Sequence, residues 1–348
     1  MEASVYARLP GAILPWYHAN CRALPWRADR EPYHVWLSEV MLQQTRAEAV
    51  KGYYSRFLAA LPDIPALARC DDGALMKLWE GLGYYSRARN LKKAAAIIME
   101  RHGGKFPETY REILALPGVG EYTAGAIGSI CFALPTPAVD GNVLRVCTRL
   151  CADGSPIDTP ECKARIREAL AQVYPPEAGD FTQGLMELGE TICLPNAATK
   201  CESCPCRDFC RARAQGNPLD YPVKSPKRAR AVEEKTVFIL SCGELFALER
   251  RPETGLLAAL WQFPNVPGTL SAPEAIKLLA ARGLHPREIY KTVERRHIFT
   301  HLTWQMRGIY AELASPGGGY TWLHAEQIRR EVALPTAFRQ FWEENGDV

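Results

Sequence analysis

Three patterns of residues in the sequence could do chemistry. In Val35-Trp36-Leu37-Ser38-Glu39-Val40-Met41-Leu42 one carboxylate interrupts an apolar run. At about 100° per residue, Trp36, Leu37, Val40 and Met41 share one helix face, while Glu39 lies on another side between Val35 and Leu42. A helix apolar on two sides is expected to be buried, and dry surroundings raise a carboxyl pKa toward the range of a general acid. The competing reading is a solvated glutamate on an amphipathic helix. The second pattern is Asp140 in Val139-Asp140-Gly141-Asn142-Val143, which follows a loop with Pro135 and Pro137 and opens a helix. Aspartate is a preferred N-cap; held ionised by backbone N–H groups, it can also place a fixed negative charge beside a developing cation, and the two roles are compatible. The third pattern is thiol. Of the twelve cysteines, Cys193, Cys201, Cys204, Cys206 and Cys210 fall within eighteen residues. Cys193, Cys201, Cys204 and Cys210, separated by seven, two and five residues, could enclose an iron–sulfur cluster or a zinc ion, for structure or for redox chemistry. Cys206 leaves the fourth ligand open.

These groups need elements to hold them. A length of 348 residues exceeds one ordinary core and fits two domains. With 47% apolar and 23% charged residues, the chain is neither largely disordered nor collagen-like. The net charge of +3 is permissive for a polyanionic partner without naming one. No run reaches the ~18 apolar residues of a bilayer span, and the first twenty residues lack a basic segment followed by an apolar one, so a cytoplasmic protein is expected. Without a secretory pattern, the clustered cysteines read as a metal or cluster site rather than a disulfide framework. Helical spacing is found over residues 33–46, 48–60, 73–81, 86–102, 108–115, 121–132, 142–151, 161–173 and 180–190, an all-α body. Pro218, Pro222 and Pro226 with Lys224, Lys227, Arg228 and Arg230 mark a linker. Beyond it, short runs at 236–241, 244–250, 289–293, 298–302 and 305–311 read as strands, with helices near 273–281 and 336–342, an α+β tail.

Leu116-Pro117-Gly118-Val119-Gly120 stands before the helix that starts near Glu121. Two glycines two apart let backbone N–H groups point at an anion, or simply serve an ordinary helix turn. Followed by Tyr122-Thr123-Ala124-Gly125-Ala126-Ile127, the segment resembles a helix-hairpin-helix element, which clamps the DNA backbone without reading sequence. Glu39, this hairpin, Asp140 and the cysteines, in that order, resemble the helix-hairpin-helix DNA glycosylase superfamily with a cysteine-bound [4Fe–4S] cluster. More closely, the chain resembles the adenine DNA glycosylases of the MutY family. The likeness is carried by LPWR at 24–27, SEVMLQQTR at 38–46, GLGYYSRARNL at 81–91, LPGVGEYTAGAI at 116–127, VDGNV at 139–143 and the cysteines. It implies a mainly α N-terminal catalytic region over 1–215, with a six-helix module at about 30–136 and the N-terminal helix plus 137–215 forming the [4Fe–4S] module. A linker over 216–232 and a Nudix-like 8-oxoguanine recognition domain over 233–348 would follow.

The resemblance further implies a monofunctional base-excision repair enzyme that flips out and hydrolyses adenine mispaired with 8-oxoguanine or guanine in double-stranded DNA, acting as a monomer. Glycosylases of the superfamily that also cut the strand carry a lysine where this chain has Tyr122. Breaking an N-glycosidic bond leaves an oxocarbenium-like sugar, so Glu39 would protonate adenine and Asp140 would stabilise the sugar, the two-carboxylate logic of glycoside hydrolysis. Tyr122 and Asn142 would hold that arrangement. Arg27, Gln44, Thr45, Leu82, Tyr84, Gly118, Gly120 and Gln183 would contact DNA or the flipped base, and Phe299, Thr300 and His301 would contact 8-oxoguanine. Cys193, Cys201, Cys204 and Cys210 would bind the cluster, within a loop whose Lys200, Arg207, Arg211 and Arg213 face DNA. Seven residues separate the first two cysteines where the family has six, so the loop bulges or Cys206 takes part. Thr300 replaces the family's serine. The tail lacks the acidic Arg-Glu-x-x-Glu-Glu metal motif of Nudix hydrolases, which argues for a recognition module. Competing readings are an endonuclease-III-like glycosylase for oxidised pyrimidines, against which Tyr122 and the tail domain speak, and a non-catalytic iron–sulfur DNA-binding protein.

Overall fold

The structure is a computed structural model that describes residues 2–196, 199–226 and 229–343. Lys227 and Arg228 of the expected linker, and the last five residues of the expected tail domain, lie outside the described residues. The chain forms two compact units, Met1–Arg69 with Arg89–Pro226, and Cys70–Ala88 with Lys227–Val348. Sequence patterning reads one boundary; the segment Cys70–Ala88 is grouped with the second unit. No described helix is long and apolar enough to cross a membrane.

The first unit is helical. Its helices begin where short polar side chains or prolines satisfy or remove free N–H groups. Thr109 caps Tyr110–Leu114, Asp140 caps Gly141–Cys151, and Thr159 with Pro160 opens Pro160–Ala171. Glu121–Phe132 and Gly141–Cys151 stop at Ala133 and Ala152, both in the left-handed region. A dry core joins Leu9 and Ile13 of Leu9–Asn20 to Val143, Val146 and Leu150 of Gly141–Cys151 and to Phe181, Leu185 and Leu188 of Ala178–Thr191. The helix expected over 33–46 is Pro32–Leu42. It stops because Gln43-Gln44-Thr45-Arg46 offers no apolar side chain to bury, and Gln44 turns to φ 58°. The short helix Ile64–Arg69 is additional to those expected.

The second unit is built on a mixed sheet of seven strands, Ala231–Cys242 (β1), Leu245–Arg250 (β2), Trp261–Gln262 (β3), Asn265–Pro267 (β4), Pro286–Ile298 (β5), Leu302–Leu313 (β6) and Thr321–His324 (β7). The order is β3-β2-β1-β6-β5, with β4 on β1 and β7 on β2. β1 and β6 run parallel from Ala231 opposite Leu302 to Ser241 opposite Glu312. One face carries Val237, Ile239, Trp304, Met306 and Tyr310 against the helices Ala325–Glu331 and Thr336–Trp342. The other carries Phe238, Leu240, Ile309 and Ala311 against Ala272–Ala281. Covered on both faces, β1 is buried continuously from Thr236 to Ser241, which is why that stretch reads as an unbroken apolar run. The strand expected over 298–302 is instead the turn between β5 and β6, closed by the Phe299 N–H donating to the Leu302 carbonyl at 2.8 Å. β1 starts at Ala231, inside the segment read as linker, because its first four residues are exposed and carry no apolar alternation.

Candidate active site

Pro32–Leu42 is buried on nearly every side: Val35, Trp36, Leu37, Ser38, Glu39, Val40 and Met41 are all buried. Glu39 retains 6% exposure, so a solvated surface glutamate is excluded. Burial pushes its carboxyl up to about 7, against the opposing pull of the Tyr122 hydroxyl, with the negative charge of Asp140 adding to the rise and Arg27 reducing it. The Tyr122 hydroxyl donates a very short bond to Glu39 Oε2 and sits 3.7 Å from Met186 Sδ. Burial, reinforced by the Glu39 and Asp140 charges, pushes the Tyr122 phenol well above its ordinary range, so it stays a donor.

Asp140 sits at the N-cap of Gly141–Cys151 and accepts from the Val143 N–H at 2.7 Å and from Asn142 Nδ2 at 2.8 Å. Burial raises its pKa, and those N–H donors hold the rise back. Asn142 is fixed from its other end by Arg145 Nη2 at 2.9 Å. Arg145 also donates to the Gly189 carbonyl at 2.8 Å and the Cys193 carbonyl at 2.8 Å, so one buried guanidinium ties the aspartate's partner to the start of the cysteine loop. Only glycine allows this approach at position 189, since a Cβ there would meet Asn142 Cβ at 2.6 Å.

Glu39, Tyr122, Asp140 and Asn142 line one cavity of about 340 Å³ with Arg27, Gln44, Thr45, Gln183, Trp26 and Met186, within the ~300–1,000 Å³ usual for a small-molecule site. A third carboxylate, Glu190, lines it too; it sits one helical turn beyond Met186, and no motif marks it. Arg27 is oriented by Glu187 Oε2 at 2.8 Å. Burial alone would raise the Glu187 carboxyl, yet bonds from Arg22 and Arg27 outweigh it and hold it below the ordinary range. This ion group around the buried Glu187 has no local sequence signal, because the arginines lie 160 and 165 residues from it. The cavity adjoins a wider groove of about 790 Å³ that shares Leu42, Gln44, Tyr122 and Asp140 and reaches Gly120, the N-cap of Glu121–Phe132. Gly118 has φ 78°, and a Cβ there would meet Asn90 Cβ at 2.6 Å, so the hairpin turn demands glycine at 118 and not, on space, at 120.

Cys193, Cys201, Cys204 and Cys210 line a single cavity with Val146, Leu150 and Leu188. Cys206 is fully buried in the adjoining apolar core, so the four spaced cysteines, not Cys206, form the set that could hold a metal group. Arg149 Nη1 donates to Cys193 Sγ at 3.3 Å and to the Leu194 carbonyl at 2.7 Å, and N–H donors of this kind stabilise a thiolate. Among the described residues no three His, Cys, Asp or Glu side chains converge closely enough to hold a metal ion.

The other expected contact residues belong to the second unit. Leu82 is buried and Tyr84 is 46% exposed, on a backbone with positive φ at Gly81, Gly83 and Tyr84. The Tyr84 hydroxyl lies 2.9 Å from Thr300 Oγ1, each able to donate. Phe299 is half-buried, while Thr300 and His301 project into solvent from the β5–β6 turn.

A helical body with a glycine hairpin opening onto a cavity lined by a buried glutamate bonded to tyrosine and by an N-cap aspartate fits one class, the base-excision glycosylases. The model of the HhH-GPD superfamily of base excision DNA repair proteins matches residues 37–173, and that of the NUDIX domain matches residues 236–344. The chain is 34% identical to an adenine DNA glycosylase of Rattus norvegicus, over 94% of this chain and 76% of that protein, and 34% identical to one of Homo sapiens, over 95% and 72%. A solved structure of a thermostable thymine-DNA glycosylase is 29% identical with a TM-score of 0.55, covering 62% of this chain and 97% of that one. The chain belongs to the adenine DNA glycosylase family.

Proposed function

We propose that this enzyme excises adenine paired with 8-oxoguanine or guanine in double-stranded DNA, with Glu39 as general acid and Asp140 as the charge that stabilises the sugar. One observation carries the reading: Glu39 and Asp140 line one cavity large enough for a purine, the first raised to about 7 by burial and bonded by Tyr122, the second also raised by burial but held back by N–H donors that favour its charged form. Extruding the base costs a few kcal/mol, recovered through pocket and wedge contacts. Arg27, Thr45 and Gln183 would contact the flipped nucleotide, Gln44, Leu82 and Tyr84 would fill or wedge the stack, and Gly118 and Gly120 would clamp the backbone. Protonated Glu39 gives its proton to the imidazole-ring nitrogen N7 of adenine as the C1′–N9 bond breaks. The electron pair leaves with the base, and Asp140 compensates the oxocarbenium charge. Glu39, now a carboxylate, takes a proton from the water that adds to C1′. Tyr122 and Asn142 keep both carboxylates in place.

Cys193, Cys201, Cys204 and Cys210 would hold a [4Fe–4S] cluster. That all four of these cysteines line one cavity, while Cys206 is buried in the core beside it, supports this. The cluster would organise the loop carrying Lys200, Arg207, Arg211 and Arg213 against DNA phosphates. Residues 1–215 would then form the catalytic region, 216–232 the linker and 233–348 the module that contacts 8-oxoguanine through Phe299, Thr300 and His301, in a monomeric enzyme. Incubation with duplexes carrying adenine opposite 8-oxoguanine, adenine opposite guanine, or an oxidised pyrimidine, followed by alkali, tests this. Strand breaks at the adenines alone are expected, and breaks at the oxidised pyrimidine alone would overturn it.

A further inference from the structure

We infer that Trp304 is a positioning residue that sets the height of the Phe299–His301 turn; the inference rests on the proposed reading of that turn as the contact to the base opposite adenine. The turn has an outside and an inside. Thr300 and His301 point outward, while the Phe299 ring turns in and meets Trp304 edge to face, with ring centres 4.8 Å apart and planes at 74°. Phe299 also meets His297, with ring centres 4.5 Å apart. Trp304 is 1% exposed and is held on every side. Phe338 packs on it at 5.9 Å, Lys235 Nζ lies over its ring at 4.7 Å and Arg251 at 5.7 Å. Its indole N–H donates to Glu233 Oε2 at 3.0 Å, and Lys235 Nζ stands 3.5 Å from the same oxygen.

The sheet register makes this possible. Trp304 is opposite Glu233 on β1 and opposite His297 on β5, so it stands on the central one of the three strands at the turn's base. The turn's carbonyls are tied to the start of β1, His301 by the Ala231 N–H at 3.3 Å and Thr300 by Arg230 Nε at 3.3 Å. One backbone and one side-chain bond thus anchor the turn's carbonyls to the start of β1. The Phe299–Trp304 contact is what fixes how far Thr300 stands out, and with it the hydroxyl shared with Tyr84. Aromatic pairs have directional preferences that an aliphatic side chain lacks, so leucine at 304 does not hold the angle, whereas phenylalanine keeps an aromatic edge for it.

The test uses the full-length protein and single-turnover excision at varied enzyme concentration, with adenine opposite 8-oxoguanine and opposite guanine. Trp304→Leu is expected to lose about two- to tenfold of the preference for 8-oxoguanine, the size of one aromatic pair. The loss should fall in the half-saturating concentration and not in the saturated rate, and Trp304→Phe, which keeps an aromatic edge, should recover most of it. Thr300→Ala is the control for the underlying reading. Preference lost in Thr300→Ala but kept in Trp304→Leu overturns the inference, and preference kept in both overturns the reading of the turn itself. Should circular dichroism show Trp304→Leu unfolded, Glu233→Ala, at a half-exposed carboxylate, carries the test with the same two outcomes at the lower end of that range.

Discussion

Replacing Glu39 by glutamine separates the acid's work from its burden on the fold. The carboxyl rises from an ordinary 4.5 to about 7, burial being the main cause. Below pH ~4.5 both folded and unfolded chains hold the proton and the site carries no penalty. As pH climbs to ~7 the unfolded chain ionises while the folded one resists, so stability is lost across that window. The full loss is about 3 kcal/mol, at ~1.4 kcal/mol per pH unit. Glutamine has no proton to release and still presents an oxygen to the Tyr122 hydroxyl. E39Q should therefore gain roughly 2–3 kcal/mol on the wild type between pH 5 and pH 8, or roughly 5–10 °C in melting temperature at ~2–4 °C per kcal/mol. Adenine release should fall roughly 10²- to 10⁴-fold, the usual worth of a positioned acid, with mispair binding intact. The assays are thermal melts at the two pH values and single-turnover excision at pH 7. A melting difference that does not change with pH, or excision within tenfold of the wild type, would refute the reasoning.

In the wild type, excision at saturating enzyme should fall as pH rises above about 7, because the acid is then deprotonated; a flat profile from pH 6 to 9 would argue against a titrating Glu39. Asp140→Asn keeps an oxygen for the Val143 N–H but loses the one that accepts from Asn142, so its melting temperature should fall by no more than a few degrees, while excision drops at least tenfold; an undiminished rate would leave Asp140 only its capping role. Cys201→Ala should abolish bound iron and the visible charge-transfer absorbance, whereas Cys206→Ala, at a core position, should keep both; iron analysis decides between them. Lys200→Ala should reduce the salt dependence of DNA binding by about one in the slope of log K against log salt, and an unchanged slope would place Lys200 away from phosphate.

Much of the site is legible in the sequence, because its residues follow local rules. The VWLSEVML run announces a buried helix with a carboxylate inside it, and VDGNV announces an N-cap; both are found as such. What escapes is set by tertiary context. The run to Arg46 reads as helix, yet its last four residues have nothing apolar to bury and leave it. Ile298 and Leu302 read as one strand because both are apolar, whereas they flank a turn that puts Phe299 on the core. The ion group of Arg22, Arg27 and Glu187 joins distant segments, and no local pattern pairs them. The short β3, β4 and β7 are too brief to show a period, and they exist because longer neighbours offer free edges. For the fourth thiol ligand, spacing left Cys206 and Cys210 both open; burial separates them, since Cys206 fills the apolar core while Cys210 faces the cavity.

In the proposed mechanism, base release depends on a proton reaching N7 of the departing adenine. A duplex carrying 7-deaza-2′-deoxyadenosine opposite 8-oxoguanine keeps the base's shape and removes that acceptor. The wild-type enzyme at pH 7 should bind this duplex within a fewfold of the adenine duplex and release no base from it in a time that clears all adenine. Release of 7-deazaadenine at a rate near that of adenine would show that Glu39 does not act through N7.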